Sequence, residues 1–138
     1  DDAGLPYTMA ETAGEVIGNG DAKVMGIGVL PVDNEKIGPI DKGNGFLALV
    51  KFKIANTTNE EMTIEKILSN GAGENVFLTP KDLAILGDKA LPSTIKPNTI
   101  VEGWIPFRVG DGREGYSVAI YTSHGRFVLH YINRYPIF

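Results

Sequence analysis

Histidine supplies the first candidates for chemistry, and the chain has two, His124 and His130. A metal centre needs several converging donors, and neither His-x-His nor His-x-x-x-His spacing occurs. The pair therefore reads as one turn residue and one outward-facing strand residue. Ser123 precedes His124, but neighbours in a turn do not aim at each other. A triad also needs a positioned acid, and no Gly-x-Ser-x-Gly elbow is present. Asp and Glu total 17, so some carboxylate pair is inevitable and abundance alone does not argue for glycoside hydrolysis. The absence of cysteine removes disulfides, thiolate nucleophiles and Cys-ligated metals. Loops at 33–45, 70–75 and 110–115 combine oxygen donors with glycine, as hard cations require. None follows the EF-hand spacing, which leaves a loop-bound calcium open while no cofactor is expected. The glycine-rich stretch 18–28 has no helix behind it to receive a phosphate.

Charge narrows the partners. Thirteen basic against 17 acidic residues give a net −4, which argues against nucleic acid. Lys51 and Lys53 are the densest basic pair. No apolar run approaches the ~20 residues that cross a bilayer. The chain starts at Asp1 without a signal peptide, as a mature or trimmed product does.

The elements that must position any site are strands. Residues 1–20 show little periodicity and read as an N-terminal arm or tether; the domain is expected over 21–138. Met25, Ile27 and Val29 alternate with Gly26 and Gly28, giving a strand with one bulky face and a bulge signal. Phe46, Ala48, Val50, Phe52 and Ile54 keep a period of two, the strongest strand signal in the chain. It stops on Asn56-Thr57-Thr58-Asn59, a cluster of turn formers. Met62 and Ile64, then less regularly Ile67 and Leu68, mark a further strand. A short strand over 76–79 is followed by Pro80, which opens a single helical turn. Pro97-Asn98 predicts a turn. Beyond it Val101, Ile105, Phe107 and Val109 share one face, and Glu102, Trp104 and Arg108 the other. Pro106 in that strand predicts an edge position or a bulge. Two alternating runs joined near His124-Gly125 predict a hairpin. About seven strands separated by Gly, Pro and Asn, with no long amphipathic helix, predict an all-β antiparallel sandwich.

The outer face of such a sandwich should be polar. Here it is expected to carry Leu47, Leu49, Trp104, Tyr121, Val128 and Ile132 among Lys51, Lys53, Glu102, Arg108 and His130. An apolar centre with a charged rim marks a partner surface. Trp104, Tyr121, Leu49, Val128 and Arg108 are the candidate contact residues, because Trp, Tyr and Arg dominate binding energies. Cover by loops or the N-terminal arm is the alternative use of the same apolar residues.

The stretches "GFLALVKFKIANTTNEEMTI" and "IKPNTIVEGWIPFRV", followed by a closing strand pair, resemble a broad group of immunoglobulin-like domains of unknown function. These occur in bacterial and archaeal exported proteins and lipoproteins, and the small secreted mycobacterial immunoprotective antigen has a similar architecture. The resemblance covers roughly Asp21 to Ile132. It implies an immunoglobulin-like sandwich and an extracytoplasmic, secreted or cell-surface location. It also implies a non-catalytic binding or adhesion module whose partner is a protein or other cell-envelope macromolecule. It supplies no catalytic residue. Two further classes stay open. One is a structural subunit of a surface filament or layer, self-associating by strand addition through the N-terminal arm. The other is a small hydrolase.

Overall fold

Alternation of the kind seen at 46–54 commits one row of side chains to a core and the other to the outside. The computed structural model describes residues 7–10, 16–18, 20–31, 46–71, 74–109 and 116–131, where ten strands form two sheets. In chain order these are β1 (Tyr7–Ala10), β2 (Val16–Gly18), β3 (Ala22–Pro31), β4 (Phe46–Asn56), β5 (Met62–Gly71) and β6 (Glu74–Leu78). A helical turn α1 (Pro80–Leu83) and a 3-10 segment (Ala84–Lys89) follow, then β7 (Thr94–Ile95), β8 (Thr99–Val109), β9 (Tyr116–Thr122) and β10 (Gly125–Tyr131). Sheet A runs β1-β10-β9-β5-β6 with β7 on β5; sheet B runs β2-β3-β4-β8. Every strand pair is antiparallel except β1 with β10.

The two sheets share one core. Sheet B contributes Val24, Val50, Phe52, Ile54 and Ile105; sheet A contributes Ile64, Ile67, Ile120, Phe127 and Leu129. Leu78, Ile67, Ile120 and Phe127 lie in register across four strands as one buried row. Phe52 is fully buried, and its partners on both neighbouring strands are glycines, Gly26 and Gly103. At Gly103 the space a side chain would take is filled by the backbone of Ala90 and Leu91, a close approach that glycine permits.

Bulges explain where simple alternation goes out of step. A register shift between Ile64 and Lys66 inserts one residue into β5. Met62 and Ile64 therefore face inward before it, and Ile67 and Ser69 after it. The same device between Gly26 and Gly28 corrects the expected face of β3. Ala22 and Val24, not Met25, are buried at its start.

Other expectations hold in detail. Pro106 sits on β8, an edge of sheet B, where a missing N–H costs no ladder bond. Thr122 and Gly125 close the β9–β10 hairpin, and Gly125 carries the positive φ, 131°. Pro80 opens α1 behind a capping box, in which Thr79 Oγ1 accepts from the Asp82 N–H and Asp82 accepts from the Thr79 N–H. The N-terminal segment differs from the irregular arm expected of it. It places β2 against β3 and β1 against β10, with Ile17 buried. The long loop expected at 33–45 lies outside the described residues. Among the described residues, no helix is long and apolar enough to cross a membrane.

Asn98 makes the predicted turn with φ 55°, and its side-chain amide donates to Asn59 Oδ1 at 3.1 Å. Asn tolerates this left-handed region, whereas a β-branched residue does not. Asn98→Val should cost about 2 kcal/mol and Asn98→Gly only a few tenths, read from denaturant midpoints. Equal midpoints for the two variants would remove backbone conformation as the reason for asparagine here.

Candidate binding surface

Four of the five candidate contact residues fall on two opposite outer faces. Leu49 and Trp104 belong to sheet B, where Leu49 pairs with Pro106 and Lys51 with Trp104. Arg108 occupies β8 in register with Leu47; its side chain lies outside what is described. Tyr121 and Val128 belong to the outer face of sheet A. No single patch holds all five. Exposure divides them further. Leu49 is 2 % exposed and Tyr121 6 %, so neither offers the open surface expected of it. Trp104 and Val128 are half-buried.

On sheet A the outer row Phe77, Leu68, Ala119 and Val128 runs across four strands in register. Phe77, on the edge strand β6, is the exposed member at 54 %. Beside it, cations alternate with rings. Lys66 Nζ lies 5.0 Å from the Phe77 ring centroid and 4.8 Å from that of Tyr121, and Arg126 Cζ lies 5.7 Å from Tyr121. These contacts explain the low exposure of Tyr121: its faces are used within the sheet.

On sheet B the outer face is arranged in cross-strand rows. Lys23, Ala55 and Ile100 form one, Met25, Lys53 and Glu102 the next, and Lys51 with Trp104 a third. Trp104 packs back against the core cluster, and Ala90 bridges to it in parallel. The Lys51 ammonium stands 5.6 Å from the Trp104 ring centroid and 3.8 Å from Glu102 Oε2. With 29 % and 45 % of the two side chains exposed, that ion pair contributes at most about 1 kcal/mol. Alanine between two long neighbours makes a dent. Lys23, Val24, Met25, Lys53, Ala55 and Ile100 line an open hollow of about 150 Å³. Ile100 is 63 % exposed, the most exposed of the large apolar residues described. Among the described residues, Lys23, Lys51 and Lys53 against Glu102 leave the face cationic on an acidic chain.

Met25 and Ile100 were missed as candidates. Ile100 follows directly on the predicted Pro97-Asn98 turn and alternates with Glu102 and Trp104, which was signal enough to place it on the outer face. Met25 was hidden by the bulge.

Two of the residues weighed for chemistry, Ser123 and His124, form hydrogen bonds at the hairpin turn. His124 is the second turn residue of the hairpin, its Nδ1 3.4 Å from Asp21 Oδ2 and its N–H donating to Thr122 Oγ1 at 3.0 Å. Ser123 Oγ accepts from the Thr63 N–H at 3.0 Å, tying the hairpin to β5. The His130 side chain and the loop at 110–115 lie outside what is described, as do residues 72–73 of the loop at 70–75. Among the described residues, no group of three or more His, Asp or Glu stands where it could hold a metal ion.

No family model matches the chain, and no curated protein matches it. Among solved structures, the crystal structure of the YjhA protein from Bacillus subtilis is similar, with a TM-score of 0.57 at 10 % identity. The match covers 88 % of this chain and 99 % of that one. At that identity the likeness is one of fold.

Proposed function

We propose that the chain is an immunoglobulin-like sandwich acting as a non-catalytic, extracytoplasmic binding module. It contacts a protein of the cell envelope through the outer face of sheet B. The observation that carries this reading is the pair Ile100 and Met25, from neighbouring rows, lining an open dent that is rimmed by lysines and continuous with the Trp104–Lys51 stack. An exposed apolar centre with a polar rim is the composition of a contact surface. The resemblance of the β4 and β8 stretches to exported domains supports the location, and the two-sheet architecture is compatible with it.

A photocrosslinking residue placed at Ile100 in cells should give a discrete adduct in the envelope fraction. The same residue at exposed Glu65, on sheet A, should not. Ile100→Arg should weaken capture of the isolated adduct partner about tenfold or more, since it removes apolar contact at the centre of the patch. Equal crosslinking from both positions, or a chain confined to the cytosol, would dismiss the proposal.

A second reading has one observation in its favour. β1 makes the parallel pair at the edge of sheet A, and β2 lies at an edge of sheet B. Exchange of these strands between copies would use the same pairings in trans and build a filament or layer.

A further inference from the structure

We infer that the dent on sheet B receives an apolar side chain flanked by carboxylates on a partner protein. This rests on the contact-face reading above and specifies its chemistry. A hollow of about 150 Å³ is the size that admits one benzene-sized group. Pockets that capture free small molecules run to ~300–1,000 Å³ and enclose most of the ligand. A shallow dent of this size suits a knob already held in place by a macromolecule. Its walls are apolar at Met25, Ala55 and Ile100, so the knob is apolar.

The charges decide what surrounds the knob. Lys23 stands across from Ala55, and Lys53 across from Met25. The two lysines thus occupy opposite corners of the square whose other corners are Met25 and Ala55. Diagonal positions on neighbouring strands are separated by ~7–8 Å, enough for a side chain to enter between them. Both lysines are exposed, and among the described residues neither has an ion pair. Glu102, in register with Lys53, is the acid on this face among the described residues, and its carboxylate pairs with Lys51. Two cations across an apolar dent complement carboxylates on either side of a leucine or phenylalanine. They repel a basic partner.

The test uses a capped peptide with one leucine flanked by glutamates, and the same peptide with glutamines. The acidic peptide should move the amide resonances of Lys23, Met25, Lys53, Ala55 and Ile100 in the full chain. Its affinity should fall about tenfold in Lys23→Glu/Lys53→Glu, and again between about 50 and about 300 mM salt. Both lysines are exposed, so an unchanged denaturation midpoint establishes that the variant is folded. Equal shifts with the glutamine peptide, shifts centred on Phe77, or unchanged affinity in the double variant would each overturn the carboxylate assignment. If crosslinks from position 100 persist in the double variant, the contact face stands and the proposed partner chemistry falls. Dimerisation of the chain, abolished by the same two substitutions, would put a second copy in the dent and overturn a distinct partner.

Discussion

Gly103→Ala should destabilise the chain by about 3 kcal/mol, the largest loss expected from adding one methyl group. A Cβ at position 103 would stand 2.4 Å from Leu91 Cα, 2.6 Å from Leu91 N and 2.8 Å from the Ala90 carbonyl oxygen. All three are backbone atoms, so no rotamer change relieves the overlap. The segment at 90–91 is also committed. Leu91 N–H donates to the Trp104 carbonyl at 3.0 Å, and the Leu91 side chain is 2 % exposed in the core. To admit the methyl group, the segment must leave the edge of β8, losing that bond and uncovering Leu91 and Trp104 together. The chain has one tryptophan, so its own fluorescence reports the event. Emission should move to longer wavelength in the folded variant, and the denaturation midpoint should fall. An alanine variant with the parental midpoint and emission would show that 90–91 is free to shift. The freed edge carries a second consequence. An unpaired stretch of β8 is a template for strand addition, so the variant should aggregate more readily at equal concentration.

What the amino-acid order disclosed, and what it hid, follows from the range of each interaction. Period-two patterning is local, and β4 and the β9–β10 hairpin were legible from it. The register pairs Phe127 with Ile120 and Leu129 with Val118, as the two alternating runs required. Pro106 marked an edge because its missing donor is a property of one residue. Bulges are also local, yet they invert every face beyond them. The glycines at 26 and 28 signalled one without saying where the phase would change. Strands of four and three residues, such as β1 and β2, are too short to show a period and take their stability from β10 and β3. Membership of a sheet is not local at all. Trp104 and Tyr121 both alternate outward, but they do so from opposite sheets. Alternation also assigns a face without saying what lies over it, which is why Leu49 faces outward in register and is nevertheless buried. The dent depends on small Ala55 standing between Lys23 and Ile100, three strands brought together from distant parts of the chain.

The same limit hid the role of Asn56, which reads as a turn former and acts as a buried clamp. Asn56 is 1 % exposed. Its amide nitrogen donates to the carbonyls of Glu60 at 2.7 Å, Ile95 at 3.0 Å and Lys96 at 3.3 Å. Its oxygen accepts from the Thr58 N–H at 3.0 Å and the Thr58 hydroxyl at 2.7 Å. One side chain therefore ties the end of β4 to its own turn and to the strand segment leading into β8. Asn56→Asp keeps the shape and reverses the chemistry, aiming a carboxylate at three carbonyl oxygens. A loss of about 4 kcal/mol is expected at neutral pH, from unsatisfied buried acceptors and an unpaired buried charge. The sign with pH is opposite to that of a salt-bridged acid. Burial and facing carbonyls raise the folded-state pKa of the new carboxyl above its unfolded value of about 4. Between those two values the folded state binds more protons than the unfolded one, so stability falls as pH rises. Below about pH 4 the group is neutral in both states and its hydroxyl can donate to one carbonyl, so the gap from the parent protein should narrow. Urea midpoints of the two proteins, taken across that range, measure the difference. A gap that stays constant with pH, or a variant as stable as its parent at neutral pH, would mean that the clamp is not what holds these two turns together.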